Sequence, residues 1–141
     1  MTEVIGEFPS RQQHGFQRNM SCITAAFNLQ ESIYYNVERH SDVYVAFLDQ
    51  KAAFDCVDHL RLFLKLGRLG MRGKPLRILK ESYDGIQCYV KLNNVTSDVI
   101  NVERGVRQGG VLSTFYYLTY IDELLHSLER SGYGAKLMSA Q

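Results

Sequence analysis

The chain has 141 residues, with 16 Lys plus Arg against 15 Asp plus Glu and a formal net charge of +1. This length suits one ordinary domain, and 45% hydrophobic with 22% charged residues excludes a wholly disordered chain. A net charge this close to zero does not indicate nucleic-acid binding, because nucleic-acid-binding proteins usually carry a clear basic excess. Evidence for such binding must therefore come from local patterns of residues. No apolar run approaches the ~20 residues of a membrane span, and we see no secretory signal. We therefore expect an intracellular protein with reduced, buried thiols.

The first half of the chain predicts a loop, a helix and a strand. Residues 1–20 are polar and predict a loop. Apolar residues recur near helical spacing over 21–39, and Ser21 is a plausible N-cap. Residues 43–48 form a continuous apolar run rich in strand formers, which predicts a buried central strand ending at Asp49.

The second half predicts two helices, a hairpin and a long helix. The helices span 57–69 and 75–84, with Gly70, Gly73 and Pro75 between them. Residues 86–92 and 98–104 predict paired strands around the turn-prone Asn93-Asn94, and we expect the strand at 43–48 to pair with this hairpin. The last helix runs from about 111 to 130 and ends at Gly132. Helices between strand regions favour a layered α/β (α+β) domain.

Asp49 is the first candidate for chemistry. A carboxylate at the end of a rigid strand points to the rim of the sheet, and hard divalent cations prefer such oxygen ligands. The alternative is that Asp49 only caps the following turn or helix, as aspartate often does. One carboxylate rarely holds such a metal alone, so the spacing by itself favours the cap.

The glycine-containing loop at 105–110 is the second candidate. Glycines let a backbone approach a ligand closely, and the following helix presents free N–H groups and partial positive charge. Arg107 and Gln108 add donors suited to phosphate or sugar. The alternative is an ordinary loop that starts a helix, which is favoured when this motif is taken alone.

Four groups of segments stand in order along the chain. They are Gln13-His-Gly-Phe16, Ala46-Phe-Leu-Asp-Gln-Lys-Ala-Ala-Phe-Asp55, Glu103-Arg-Gly-Val-Arg-Gln-Gly109, and Val111-Leu-Ser113 with Tyr120-Ile-Asp-Glu-Leu124. Taken together and in order, these segments resemble the reverse transcriptases of non-LTR (LINE-type) retrotransposons. Separated motifs in the right order form a specific signal, which no single one provides. The resemblance covers 13–137 of what we interpret as a single partial domain, 1–141.

The resemblance implies a partial right-hand polymerase palm with part of the fingers. Asp49 matches the first metal-binding aspartate of motif A and is the expected catalytic residue, and the carbonyl of Gln50 would be a minor metal ligand. Enzymes of this family use two magnesium ions for nucleotidyl transfer. Magnesium is therefore the implied cofactor of the complete enzyme.

The resemblance also implies a set of substrate-binding residues. Phe54 matches the aromatic gate that occupies the space of a ribonucleotide 2′-hydroxyl. Arg107, Gln108 and Gly109 match the motif B loop beside the incoming nucleotide and the template. The implied partners of the complete enzyme are an RNA template, a DNA primer and deoxynucleoside triphosphates, with no membrane.

Several departures from the family pattern set further expectations. Gln17 stands where an arginine is common, and Thr114 stands where motif B usually has proline. The paired aspartates of motif C should lie just beyond Lys136-Leu137, and we expect these aspartates and the thumb to be missing from this chain. We therefore expect the chain alone to be inactive. The alternative is a non-enzymatic, truncated or decayed product acting as a small nucleic-acid-binding or interaction module.

Three weaker patterns favour ordinary structural roles. Cys56 and His59 have half-site spacing for zinc, but no second pair accompanies them, which favours a buried thiol. The stretch 60–80 carries seven basic residues and no acidic one, and we interpret it as the solvated side of amphipathic helices rather than a phosphate-binding surface. The helical tyrosines are expected to pack in the core.

Overall fold

The computed structural model describes residues 8–134. All four predicted helices are confirmed, and their ends lie within two residues of expectation. The described chain divides into two compact units, one of residues 51–121 and one of 8–50 with 122–134. In order, the elements are α1 (Cys22–Val37), α2 (His59–Arg68), α3 (Lys74–Tyr83), β1 (Gln87–Cys88), β2 (Lys91–Leu92), β3 (Val95–Thr96), β4 (Ile100–Asn101) and α4 (Ser113–Ser131).

The first unit, 51–121, has a small apolar core built around α2. Leu62 and Leu66 lie one helical turn apart and are both completely buried. Burying a side chain of this size contributes about 1.5–3 kcal/mol each before entropy is counted. Partly buried side chains of α3 and α4 pack against this core. Its buried members are Val57, Leu62, Phe63, Leu66, Val106 and Tyr116.

Helix α2 begins at an aspartate cap and leaves most of its basic side chains in solvent. The carboxylate of Asp58 accepts a hydrogen bond from the Arg61 backbone N–H at 2.8 Å. Arg61 and Arg68 are exposed, in agreement with the solvated-face interpretation. Leu60 and Leu64 are 67% and 58% exposed, because the buried stripe of α2 runs through Leu62, Phe63 and Leu66.

The predicted pairing around Asn93-Asn94 is confirmed, with shorter strands. Strand β1 pairs antiparallel with β4, and β2 with β3. Asn93 and Asn94 have φ values of 47° and 64°, the left-handed pair that a tight hairpin turn requires. Between the two ladders, the Ser97 hydroxyl accepts from the Val90 N–H at 2.9 Å. A side chain thus replaces a main-chain partner, which interrupts the strands.

The predicted strand at 43–48 is wrong. Residues 41–50 have no regular secondary structure, and Tyr44, Phe47 and Leu48 are 92%, 84% and 89% exposed. A hairpin needs only its adjacent turn to bring its strands together, whereas 43–48 requires a partner from elsewhere in the chain. An apolar run indicates a tendency toward burial without specifying which strand supplies the hydrogen bonds. Among residues 8–134, no strand pairs with it.

The second unit, 8–50 with 122–134, contains α1 and the later part of α4. The Ser21 cap is confirmed: its hydroxyl accepts from the Thr24 N–H at 3.1 Å, and Thr24 Oγ1 accepts from the Ser21 N–H at 3.0 Å. The expected N-terminal loop is confirmed over 8–20, while 1–7 lie outside the described residues. Gly132, with φ of 70°, follows the end of α4 as expected.

The expectation of buried thiols is wrong, because Cys22, Cys56 and Cys88 are all exposed. Cys22 and Cys88 lie in α1 and β1, whose residues are not buried, so these segments offer a thiol no core to enter. Within residues 8–134 no group of three His, Cys, Asp or Glu side chains is arranged to hold a metal ion.

Tyr116 is buried as expected for a helical tyrosine, whereas Tyr34 is 55% exposed. No helix in the described part of the chain is long and apolar enough to cross a membrane.

Candidate functional site

The turn that carries Phe54 is hydrogen-bonded to the glycine-containing loop of motif B. The Val106 N–H donates to the Phe54 carbonyl at 2.9 Å, and the Gly105 N–H donates to the Val57 carbonyl at 2.8 Å. Val57 and Val106 are both in the buried core. Two backbone bonds anchored by buried side chains therefore fix the end of motif A against the start of motif B.

Gly105 makes this close approach possible. Its φ of +96° lies in the region that glycine adopts without strain. A Cβ at this position would lie 3.1 Å from both Cα and O of Asp55. The Gly105 carbonyl also lies 2.7 Å from His59 Nε2. His59 is therefore occupied with the loop backbone rather than with Cys56.

Phe54 is half-buried and held by its neighbours. Its ring stacks on Tyr117 of α4, with ring centroids 4.9 Å apart and an angle of 23° between planes. Burial raises the pKa of the Tyr117 hydroxyl. Packing against the core and against Tyr117 restricts the orientation of Phe54, as a residue that shapes a binding surface requires.

Gln108 lies beside the same turn. Its Nε2 donates to Asp55 Oδ1 at 3.4 Å, and both side chains are exposed. Gly109 has φ of +82°, and an added Cβ would meet no atom within 4 Å. The loop thus presents an amide side chain and open backbone next to the Phe54–Asp55 turn. Asp55 was not among the site residues expected from the sequence, and its direct adjacency to Phe54 was the available signal.

Arg107 lines a different surface of the same loop. It borders a cleft of about 330 Å³ between the last turn of α3 and the first turn of α4. Burial raises the pKa of Tyr83 in this cleft, and the positive charge of Arg107 partly opposes that rise. The Arg107 carbonyl accepts from the Gly110 N–H at 3.0 Å and from the Ser113 hydroxyl, so the loop is closed onto the start of α4.

Asp49 and Gln50 belong to the second unit. Both are exposed and lie in the irregular segment 41–50. The structure therefore brings together Phe54 and Gln108 through Asp55. The approach of Asp49 and Gln50 to these residues stays a prediction.

A polar cluster in the second unit was not anticipated. Asp122 is buried, and its Oδ1 accepts from the Ser10 N–H at 2.8 Å across 112 residues of sequence. The Ser10 hydroxyl donates to Glu129 Oε1 at 3.2 Å. His126 lies between the carboxylates, with Nδ1 3.1 Å from Glu129 Oε2. Its buried Nε2 lies 3.3 Å from Asp122 Oδ2 without hydrogen-bond geometry. The spacing of Asp122, His126 and Glu129 along one helix face could have indicated the cluster.

Relatives were found among proteins of mobile genetic elements. The chain is 35% identical over 94 residues to the transposon TX1 uncharacterized 149 kDa protein of Xenopus laevis, covering 65% of this chain and 7% of that protein. It is 29% identical over 118 residues to the Pol polyprotein from the type-1 retrotransposable element R2 of Popillia japonica, covering 83% of this chain and 17% of the polyprotein. It is 26% identical over 129 residues to the Pol polyprotein from the type-2 element R2DM of Drosophila melanogaster, covering 92% and 12%. The chain thus spans less than a fifth of each relative. No solved structure shows a significant match.

The family comparison, in contrast, covers nearly the whole chain. The family model described as reverse transcriptase (RNA-dependent DNA polymerase) matches residues 1–137. The motifs that carried the resemblance fall within that match, and the R2 relatives are retrotransposon polyproteins. The chain therefore belongs to the reverse transcriptase (RNA-dependent DNA polymerase) family, as a part of a non-LTR retrotransposon enzyme.

Proposed function

We propose that this chain forms part of the palm and fingers of an intracellular enzyme that copies RNA into DNA. The partners would be an RNA template, a DNA primer and deoxynucleoside triphosphates. The observation that carries the proposal is the backbone pairing of the Phe54–Val57 turn with Gly105 and Val106. Polymerization requires that the nucleotide is held in one geometry. This pairing fixes two motif segments against each other, although they are about fifty residues apart in sequence.

Within this site, Phe54 would act as the gate against ribonucleotides. Its ring is fixed by stacking on Tyr117, so it can exclude a 2′-hydroxyl by occupying space rather than by forming a bond. Gln108 and Gly109 would contact the incoming nucleotide and template. The Gln108 amide has a second N–H and a carbonyl beyond its bond to Asp55, and Gly109 leaves its backbone open to close approach.

Asp49 would be the catalytic carboxylate and metal ligand, with the Gln50 carbonyl beside it. An exposed carboxylate suits magnesium, which prefers hard oxygen ligands. Magnesium is commonly held by one or two protein carboxylates with water and substrate phosphate, so Asp49 fits as one ligand of such a site. Magnesium, when bound, supplies the Lewis acid that stabilises charge in nucleotidyl transfer. The role of Asp49 is to fix the position of that charge.

A chimeric polymerase tests this proposal. The part of this chain that matches the R2 polyprotein of Popillia japonica over 118 residues would replace its counterpart there. Primer extension on an RNA template would then be measured with magnesium. We expect Asp49→Asn to reduce extension by about a hundredfold or more, because a displaced ligand disturbs charge stabilisation in the transition state. Phe54→Ala is expected to increase ribonucleotide incorporation.

The matched control is Asp42→Asn, another exposed aspartate of the same unit that matches no motif position. It should leave extension unchanged. An active chimera that tolerates Asp49→Asn as well as Asp42→Asn would contradict the assignment. A non-enzymatic role is not favoured, because the family match and the retrotransposon polyproteins both indicate a polymerase.

A further inference from the structure

The cleft beside Arg107 has walls suited to a flat apolar group. Leu79 and Tyr83 of α3 form one side, and Val111, Leu112 and Tyr116 form the other. Tyr83 is held edge-on against His59, Phe63 and Tyr116, with ring centroids 4.8, 5.9 and 6.0 Å away. The volume of about 330 Å³ lies at the lower end of ordinary ligand pockets, roughly 300–1,000 Å³. The wall formed by Tyr83 is rigid, because three neighbouring rings hold its side chain in place.

The charge at the cleft is positive and uncompensated within the described chain. Arg107 is exposed, and no carboxylate among residues 8–134 forms an ion pair with it. Ser82 and Ser113 add hydroxyl groups to the lining. The Ser113 hydroxyl is already donated to the Arg107 carbonyl, so the guanidinium is the principal group available to a ligand. A guanidinium at the edge of an apolar cleft suits one phosphate attached to one base.

We propose that this cleft binds one nucleotide unit of a single nucleic-acid strand, with its phosphate on Arg107 and its base against Leu79 and Tyr83. The inference rests on the proposed function and adds a strand-binding subsite separate from the Phe54–Gln108 surface. One cation matches the single charge of a phosphodiester, whereas a free triphosphate needs several cations. Val111 lines the cleft and is 94% exposed, so the strand can reach the cleft from solvent.

Binding of a fluorescein-labelled oligouridylate of about 12 nucleotides to the 141-residue chain tests the proposal by fluorescence anisotropy. We expect Arg107→Gln to weaken binding by about three- to tenfold and to lower the slope of log affinity against log salt by about 0.7, the loss of one phosphate contact. Arg104→Gln is the matched control: an exposed arginine of the same loop that does not line the cleft. It should leave affinity within about twofold.

A second variant separates the cleft from general charge. Ser82→Leu adds apolar bulk to the cleft and leaves the net charge unchanged, so it should weaken binding without changing the salt slope. Methyl resonances of Leu79, Val111 and Leu112 should shift on titration with the oligouridylate, and circular dichroism would check that each variant folds.

Three results would overturn the inference: no binding by the chain, equal losses in Arg104→Gln and Arg107→Gln, or binding without shifts at the cleft methyl groups. Methyl shifts with thymidine triphosphate but not with the oligouridylate would assign the cleft to free nucleotide and also overturn it. Each failure leaves the chimeric extension assay to decide the proposed polymerase function independently.

Discussion

At the scale of single residues, Gly105 determines how closely the two motif segments approach. Replacing it with alanine places a Cβ 3.1 Å from two backbone atoms of Asp55 and keeps a φ of +96°. We expect Gly105→Ala to lower the free energy of unfolding by about 2–3 kcal/mol, since strain and backbone displacement add. Urea denaturation followed by circular dichroism measures it.

Gly85→Ala is the control for the backbone contribution alone. Gly85 has φ of +63°, and an added Cβ meets nothing within 4 Å. Its cost should be about 1 kcal/mol, the left-handed penalty of a non-glycine residue. Equal costs at the two positions would show that the contact between Gly105 and Asp55 is unimportant.

A second prediction for a single residue concerns Asp122, in the second unit. Its buried carboxylate accepts the Ser10 N–H and lies beside His126. Asp122→Ala removes that acceptor and leaves a buried donor unsatisfied, which typically costs about 1–3 kcal/mol. We expect the Ser10 amide to lose protection in hydrogen exchange.

Asp122→Asn is the informative companion to the alanine variant, since it keeps a carbonyl acceptor for the Ser10 N–H but removes the charge. Substantial Ser10 protection should remain in this variant. Protection that survives in Asp122→Ala as well would mean that the Ser10–Asp122 bond does not anchor the segment.

At the scale of elements, α1 depends strongly on its cap. None of its 16 residues is buried. A helix of this length without a buried face is marginal in water, so its end contacts count for more. We expect Ser21→Ala to destabilise α1 by about 1 kcal/mol, because it removes the acceptor of the Thr24 N–H. Helical content and its thermal loss by circular dichroism measure this.

Ser32→Ala is the matched control within α1. The Ser32 hydroxyl donates to the Asn28 carbonyl inside the helix, a bond that the helix does not need. It should leave the helix unchanged or slightly more stable. A loss equal to that of Ser21→Ala would assign the effect to serine content rather than to capping.

At the scale of the whole molecule, the expected activity depends on how many metal ligands the motifs supply. Asp49 is the one residue that the resemblance matches to a metal-binding position, whereas two-metal transfer needs ligands for both ions. We expect no primer extension by the 141-residue chain on poly(rA)/oligo(dT) with magnesium. Extension that disappears in Asp49→Ala would contradict this expectation and show that the chain assembles a complete site.

The sequence by itself determined the four helices, the hairpin and the family. Periodicity, Ser21 and Gly132 located the helices, Asn93-Asn94 located the hairpin, and the ordered motifs indicated a reverse transcriptase. These features are determined by local sequence, since capping and turn geometry act over a few residues.

Only the tertiary structure decided which segments meet. It left 43–48 without a strand partner in the described chain, paired Phe54 with Val106, and joined Ser10 to Asp122. It also directed Arg107 to the α3 cleft and its neighbour Gln108 to Asp55. Such contacts depend on which distant groups can satisfy one another's hydrogen bonds and fill the same space. Residue type and local spacing do not contain that information.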